Sequence, residues 1–122
     1  MLNDNDIAHR KFQKELNSGT SALVLLAVLS RATEPMYGYQ IAKHLDAGRE
    51  EVPVKQGALY PVLRSLEAGG LLESRVEPSV SGPPRRYYQI TQAGQDMLKQ
   101  WIEIWEGTRE FVDRSIGSKS DV

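Results

Sequence analysis

The stretch that decides the fold is VKQGALYPVLRSLEAGGLLE, residues 54–73. Apolar residues at positions i, i+3, i+4 and i+7 predict a helix over 57–68 with one buried face. Pro61 fits such a helix only in or near its first turn, where backbone amides lack an intrahelical partner in any case. Arg64 lies outside the apolar face, so the stretch raises the question of what its exposed side contacts. The buried face is expected to consist of Leu59, Leu63 and Leu66, with Val62 at its margin.

The residues after this helix predict a β-hairpin. Gly69-Gly70 is a strong signal for a helix end. Residues 71–76 and 85–90 have the pattern of strands, and the turn-forming cluster PSVSGPP joins them. In the second strand Tyr87 and Tyr88 must point to opposite faces, so one of the two is expected in the core.

Three helices are expected before this stretch. Residues 4–16 carry apolar side chains at helical spacing with charges between them, which indicates an amphipathic helix. We expect Ser18-Gly19 to interrupt it. Residues 21–32 are apolar on all sides, which predicts a separate and largely buried helix. Residues 38–47 have the apolar spacing of a short third helix.

The last helix is predicted to be long, from a cap at Thr91 through residues 92–116 to Gly117. It carries two adjacent apolar seams with alternating steps of three and four residues. Two seams are more apolar surface than a small domain needs, so the simplest partner for them is a second copy of the chain. The residues predicted to form the dimer are Met97, Leu98, Trp101, Ile102, Ile104, Trp105, Phe111 and Val112.

The order of these elements predicts a mainly α fold with a small β-hairpin: a winged helix-turn-helix followed by a long C-terminal dimerisation helix. We expect residues 1–90 to form the N-terminal helix and the DNA-binding domain, residues 91–117 the dimerisation helix, and residues 118–122 a disordered tail. In a winged helix the second short helix enters the major groove of DNA, and the hairpin tip reaches the backbone or the minor groove. Residues 57–68 would then be the recognition helix.

Composition excludes several other classes of protein. A chain of 122 residues without cysteine is expected to form one domain, to have neither disulfides nor thiolate zinc sites, and to suit a reducing cytoplasm. No signal-peptide core is visible, and the longest apolar run, residues 22–29, is too short to span a bilayer. His9 and His44 have no second ligand at metal spacing, and no catalytic triad or phosphate-loop pattern is present. We expect no metal, no cofactor, no membrane partner and no enzymatic activity.

Charge is informative only by segment. The formal net charge is −1, so the whole chain has no basic field that would attract nucleic acid. Residues 53–90 nevertheless carry five Lys/Arg against three Asp/Glu, whereas both flanking segments are acidic. Any attraction for DNA is therefore expected to be local to the predicted winged helix.

Three arginines in this segment are candidate DNA contacts. Arg64 could read a guanine edge or clamp a phosphate, or it could pair with Glu67 three residues on for a few tenths of a kcal/mol. Arg85 and Arg86 follow a stiff Gly-Pro-Pro turn, and their guanidinium forks suit phosphate or a narrow minor groove. The alternative for both is a solvated hairpin end. Strand alternation points them to opposite faces, so they need not reach DNA together.

Other candidates flank the recognition helix. Lys55 and Gln56 lie near its positive N-terminal end, which suits a phosphate, although Gln56 could instead cap the helix. Each tyrosine hydroxyl near the helix-turn-helix needs a hydrogen-bond partner, either phosphate or a group in the core. The predicted DNA-contacting residues are Tyr37, Tyr39, Lys55, Gln56, Gly57, Ala58, Tyr60, Pro61, Arg64, Arg85 and Arg86.

Three motifs in this order, EPMYGYQIAKHL, GALYPVLRSLEAGGLL and RRYYQITQAGQDML, resemble the PadR family of bacterial transcriptional regulators. The resemblance covers roughly residues 18–106. It implies a homodimeric winged-helix repressor. The short members of this family dimerise through a single C-terminal helix. Some members release DNA on binding a phenolic or aromatic drug-like compound. The sequence departs from the family at Ser65, where many relatives are basic, and in a wing loop richer in proline.

Trp101 and Trp105 lie four residues apart on the last helix. Two indoles near a dimer seam could form flat walls for an aromatic ligand, or they could simply pack in the dimer. The resemblance places the drug-stacking tryptophan of some members at Trp105.

Two functions follow from these patterns. The first is a homodimeric transcriptional repressor that binds a two-fold DNA operator and is released by an aromatic small molecule. The alternative is a winged-helix module that binds protein rather than DNA. This alternative is supported by the acidic net charge and by Ser65.

Overall fold

A computed structural model describes residues 3–46 and 56–117. The first segment forms a long helix, a two-residue strand and a short helix. The second forms a helix, a hairpin and another long helix. The elements are α1 (Asp4–Arg31), β1 (Met36–Tyr37), α2 (Gly38–Asp46), α3 (Gln56–Ala68), β2 (Leu72–Glu77), β3 (Arg85–Ile90) and α4 (Gln92–Ile116). The tail predicted over residues 118–122 lies outside the described residues.

The first helix is continuous, so the interruption predicted at Ser18-Gly19 is wrong. Nearby polar side chains are satisfied by the helix itself: the Thr20 hydroxyl donates to the Leu16 carbonyl at 3.0 Å. A single glycine in a helix costs only about 1 kcal/mol relative to alanine. That cost is offset by a capping box at the start of α1, and by burial of the C-terminal half through Leu25, Leu26 and Leu29.

The core lies between α1, α2, α3, the start of α4 and the inner face of the sheet. The apolar face predicted for α3 is confirmed: Leu59 and Leu63 are fully buried, Leu66 is nearly so, and Val62 is partly buried. From the sheet, Tyr88 enters the core at 2% exposure, whereas its neighbour Tyr87 is half-buried on the other face. Burial of these leucines fixes which side of α3 remains exposed to solvent.

The sheet has three antiparallel strands in the order β1-β3-β2, one more than the predicted hairpin. The additional strand pairs Met36 with Tyr88 and Tyr37 with Tyr87. It attaches the start of α2 directly to β3. The segment before the helix-turn-helix is therefore tied to the wing strand.

The start of α4 is joined closely to the end of α3. Thr91 caps α4 as predicted: its hydroxyl oxygen accepts from the Gly94 amide at 3.0 Å, and its O–H group donates to the Gly70 carbonyl at 2.7 Å. The Thr91 amide donates to the Leu71 carbonyl at 3.1 Å. Gly94 lies so near this carbonyl that an added Cβ would overlap the Leu71 oxygen. The end of α3 and the start of α4 are thus closely packed, and the contact at Gly94 leaves no space for a side chain.

Candidate nucleic-acid interface

The exposed side of α3 is the first part of the candidate site. With Leu59 and Leu63 in the core, the helix turns Ala58, Pro61 and Arg64 towards solvent. The ion pair considered for Arg64 is not formed: Glu67 instead accepts a hydrogen bond from the Ser74 hydroxyl at 2.7 Å. Arg64 makes no ion pair with any residue in the described ranges. Its guanidinium is available to an external anion or base edge.

Tyr60 joins the two short helices. An added Cβ on Gly38 would lie 2.5 Å from the Tyr60 hydroxyl oxygen and 2.8 Å from its ring. The half-buried ring therefore packs against the first residue of α2, and a larger residue at that position would displace the tyrosine ring. This contact is one of those that join α2 to α3.

A second group, on the outer face of the sheet, brings the predicted contacts Tyr37, Tyr39 and Arg85 together with Tyr87 and Lys43, which were not predicted as site residues. The rings of Tyr37 and Tyr39 are stacked with centroids 6.3 Å apart, and the ring of Tyr87 meets Tyr37 edge-on at 5.3 Å. The Arg85 guanidinium lies 4.5 Å from the Tyr37 centroid, and the Lys43 ammonium lies 5.6 Å from the Tyr39 centroid. We call these five residues the cation–aromatic strip. It has a positive charge at each end and three phenol rings between.

Sequence reasoning missed Lys43. The signal was its spacing of four residues from Tyr39, which places the two side chains on one face of α2. Cation–π contacts of this kind contribute about 0.5–1 kcal/mol at exposed sites, enough to bias the two cations towards the strip.

Arg86 occupies the opposite face of the wing, as the alternation predicted. Its Nη1 donates to the Ser74 hydroxyl at 3.0 Å, and Ser74 donates in turn to Glu67 at the C-terminal end of α3. Burial raises the pKa of the nearby Tyr88 hydroxyl, and the Glu67 carboxylate raises this pKa further. The inner edge of the wing is thus bonded to α3 by polar groups.

Three of the predicted DNA contacts, Lys55, Gln56 and Gly57, lie at or just before the start of α3. Lys55 lies outside the described residues. Gln56 and Gly57 are described as the first two residues of α3, without their side-chain environment.

The outer surface of α4 is the other candidate site. Met97, Leu98 and Trp101 pack against or within the chain's own core. The remaining five residues predicted for the dimer are exposed in the single chain: Ile102, Ile104, Trp105, Phe111 and Val112. On α1 a further exposed apolar set comprises Ile7, Phe12 and Leu16. In the described ranges no helix combines the length and apolar character needed to cross a membrane.

A helix-turn-helix with an exposed arginine-bearing second helix, followed by a basic hairpin, defines the winged helix-turn-helix class of DNA-binding regulators. Comparison with known proteins gives the same class. Residues 25–100 match the sequence profile of the transcriptional regulator PadR-like family. The chain is also 36% identical over 92 residues to the transcriptional regulator Rv3488 of Mycobacterium tuberculosis. The aligned region covers 75% of this chain and 77% of that protein.

Solved structures agree. A PadR family transcriptional regulator from Eggerthella lenta has 34% sequence identity and a TM-score of 0.74, covering 93% of this chain and 96% of that chain. A transcriptional regulator from Clostridium thermocellum has 27% identity and a TM-score of 0.73, covering 84% of this chain and 96% of that one. The chain belongs to the PadR-like family of transcriptional regulators, which confirms the resemblance found in its sequence motifs. It is a DNA-binding regulator and not an enzyme.

Proposed function

We propose that this chain acts as a homodimeric repressor that binds a two-fold operator and is released by an aromatic small molecule. The observation that carries the proposal is the solvent-facing side of α3, where Arg64 makes no ion pair within the described residues, together with a wing that carries Arg85 and Arg86. A guanidinium there suits either guanine O6 and N7 or a phosphate. Bacterial operators lie in the cytoplasm, so that is where we expect the protein to act.

The DNA-contacting surface that we propose has two parts. Arg64, with Ala58 and Pro61 beside it, enters the major groove, and Arg86 approaches the duplex from the face of the wing that is bonded to α3. The cation–aromatic strip follows the phosphate backbone, where tyrosine hydroxyls and the two cations can donate to phosphate oxygens. Half to two-thirds of protein–DNA hydrogen bonds go to the backbone, so such a strip would fix the register in which Arg64 meets the bases.

Dimerisation is supported by the exposed apolar residues of α4. Ile104 and Phe111 are 65% and 63% exposed in the single chain. Contiguous exposed apolar surface of this kind is typical of a protein–protein interaction site. An interface between copies related by a two-fold axis buries the same surface on each and holds two recognition helices at a fixed separation.

Replacing Arg64 by alanine is expected to weaken binding to the selected operator by about 1–3 kcal/mol, which is roughly 5- to 150-fold. The operator is obtained by selecting bound sequences from random DNA, and affinity is measured by fluorescence anisotropy. The matched control is Arg10→Ala, since Arg10 is an exposed arginine on α1 and belongs to neither part of the proposed DNA-contacting surface. Equal affinity of parent, Arg64→Ala and Arg86→Ala would show that the assigned face is wrong.

Release by an aromatic compound is expected to act through Trp105. This indole is 39% exposed on α4, whereas Trp101 packs against the chain's own core. A planar aromatic compound that enters the dimer should quench tryptophan fluorescence. Quenching should persist in Trp101→Phe and disappear in Trp105→Phe. A panel of planar aromatics that leaves the emission of the parent unchanged would count against an effector site at this position.

A further inference from the structure

A chain of hydrogen bonds connects the recognition helix to the wing. The Arg86 Nη1 group donates to the Ser74 hydroxyl at 3.0 Å, and this hydroxyl donates its single proton to Glu67 Oε2 at 2.7 Å. Ser74 therefore both accepts and donates, and the bonds run in one direction from the cation to the carboxylate. Such a chain defines the position of the guanidinium better than a single contact does.

The three residues belong to different elements that meet on one face of the sheet. Glu67 lies near the C-terminal end of α3, Ser74 on β2 and Arg86 on β3. Glu67 and Ser74 are half-buried, whereas Arg86 is exposed. Only one hydrogen bond from its guanidinium is made within the described residues, which leaves further donor groups available to an external acceptor.

A carboxylate at this place has a cost for a DNA-binding protein. Glu67 lies one helical turn from Arg64, on the element proposed to enter the groove, and its charge repels phosphates. Arg64 does not neutralise it by an ion pair in the described structure. Two roles are therefore possible for Glu67: it is a tolerated repulsive charge, or it makes a compensating contribution through Arg86.

We propose that Glu67 is a positioning residue for DNA binding: through Ser74 it holds Arg86 against α3, so that the Arg86 and Arg64 guanidinium groups meet the duplex together. This inference rests on the proposed DNA-contacting face. An arginine already held in place loses less side-chain freedom on binding than one that moves freely. The wing and the recognition helix then bind as one surface.

The two roles predict opposite signs for Glu67→Gln. If the carboxylate only repels phosphate, removing its charge tightens binding to every duplex. If it positions Arg86, operator affinity falls about 3- to 10-fold although the protein has become less negative, because a neutral amide oxygen accepts the Ser74 proton more weakly than a carboxylate does. Ser74→Ala removes the central group of the chain without changing any charge, and a loss at least as large is expected. In an Arg86→Ala background neither substitution should weaken binding further.

The control is Glu73→Gln, which makes the same charge change on the outer face of β2, where Glu73 accepts from Gln89. It should not weaken binding. Loss of an Arg86–phosphate contact should also reduce the slope of log affinity against log salt by about 0.9, which a general loss of stability would not do. Thermal melting followed by circular dichroism checks that each variant is folded at the temperature of the assay.

The outcomes separate this inference from the proposed function. Loss of affinity in Arg86→Ala together with unchanged or tighter binding in both Glu67→Gln and Ser74→Ala would overturn the positioning role and leave the DNA-contacting face intact. If Arg64→Ala and Arg86→Ala both bind like the parent, the face itself is wrong. Weaker operator binding and a lower salt slope in Glu67→Gln and Ser74→Ala, absent from Glu73→Gln, would support the inference.

Discussion

Replacing Gly94 by alanine is expected to lower the free energy of unfolding by about 3 kcal/mol. The added methyl group would overlap the Leu71 carbonyl oxygen and lie 2.6 Å from Ile90 Cγ1. The Leu71 carbonyl cannot move away easily, because it accepts the Thr91 amide at 3.1 Å. The joint between β2, β3 and α4 must therefore open. Urea unfolding followed by circular dichroism, at one fixed protein concentration, measures the loss.

The same substitution at Gly19 provides the control. Nothing lies within 4 Å of an added Cβ at that position in α1. Gly19→Ala is expected to raise the free energy of unfolding by up to about 1 kcal/mol, since alanine is the better helix former. A Gly94→Ala variant as stable as the parent would show that the α4 joint has more room than the described geometry gives.

The other large effect is expected at the proposed dimer interface. Ile104→Glu and Phe111→Glu should each raise the dissociation constant of the dimer at least about 100-fold, because an unpaired carboxylate is costly to bury. Both side chains are exposed in the single chain, so the fold of each subunit should persist. Operator binding should be lost in parallel, since two half-sites would no longer be engaged by one particle. Sedimentation velocity at micromolar concentration measures the first effect.

Val80→Glu is the matched control for dimerisation. Val80 is an equally apolar, fully exposed residue, but it lies in the wing turn rather than on α4. This variant should remain dimeric. A monomeric parent, or dimeric Ile104→Glu and Phe111→Glu variants, would contradict the proposed interface.

The sequence predicted those parts of the fold that depend on local periodicity. The spacing of Leu59, Leu63 and Leu66 reports directly which side of α3 is buried. Prediction failed where local signals mislead. Ser18-Gly19 has the composition of a break, but the hydroxyls nearby bond within the helix and packing carries α1 through. β1 has only two residues, too few for an alternating pattern, and exists because β3 is there to pair with it.

The candidate site was likewise predictable only where it depends on local periodicity. Alternation along β3 separated Arg85 from Arg86 correctly, because the strand period is two. The partners of these arginines were not predictable, since Tyr37 and Ser74 lie far away in the sequence and meet them only after the sheet has formed. Glu67 was considered only as a neighbour of Arg64 within one helix. Its actual partner depends on how α3 packs on β2.

The tight joint at Thr91 has a consequence for the choice of DNA target. The Thr91 hydroxyl bonds the Gly70 carbonyl just after α3 and also caps α4, so the proposed recognition helix is connected directly to the proposed dimerisation helix. One extra base pair between half-sites rotates the second by about 35° and moves it by about 3.4 Å along the axis. If the proposed dimer holds its two α3 helices at a fixed separation, the protein cannot follow that change, and the duplex has to twist or bend instead. Spacer length and flexibility should therefore discriminate between targets as strongly as the bases that are touched.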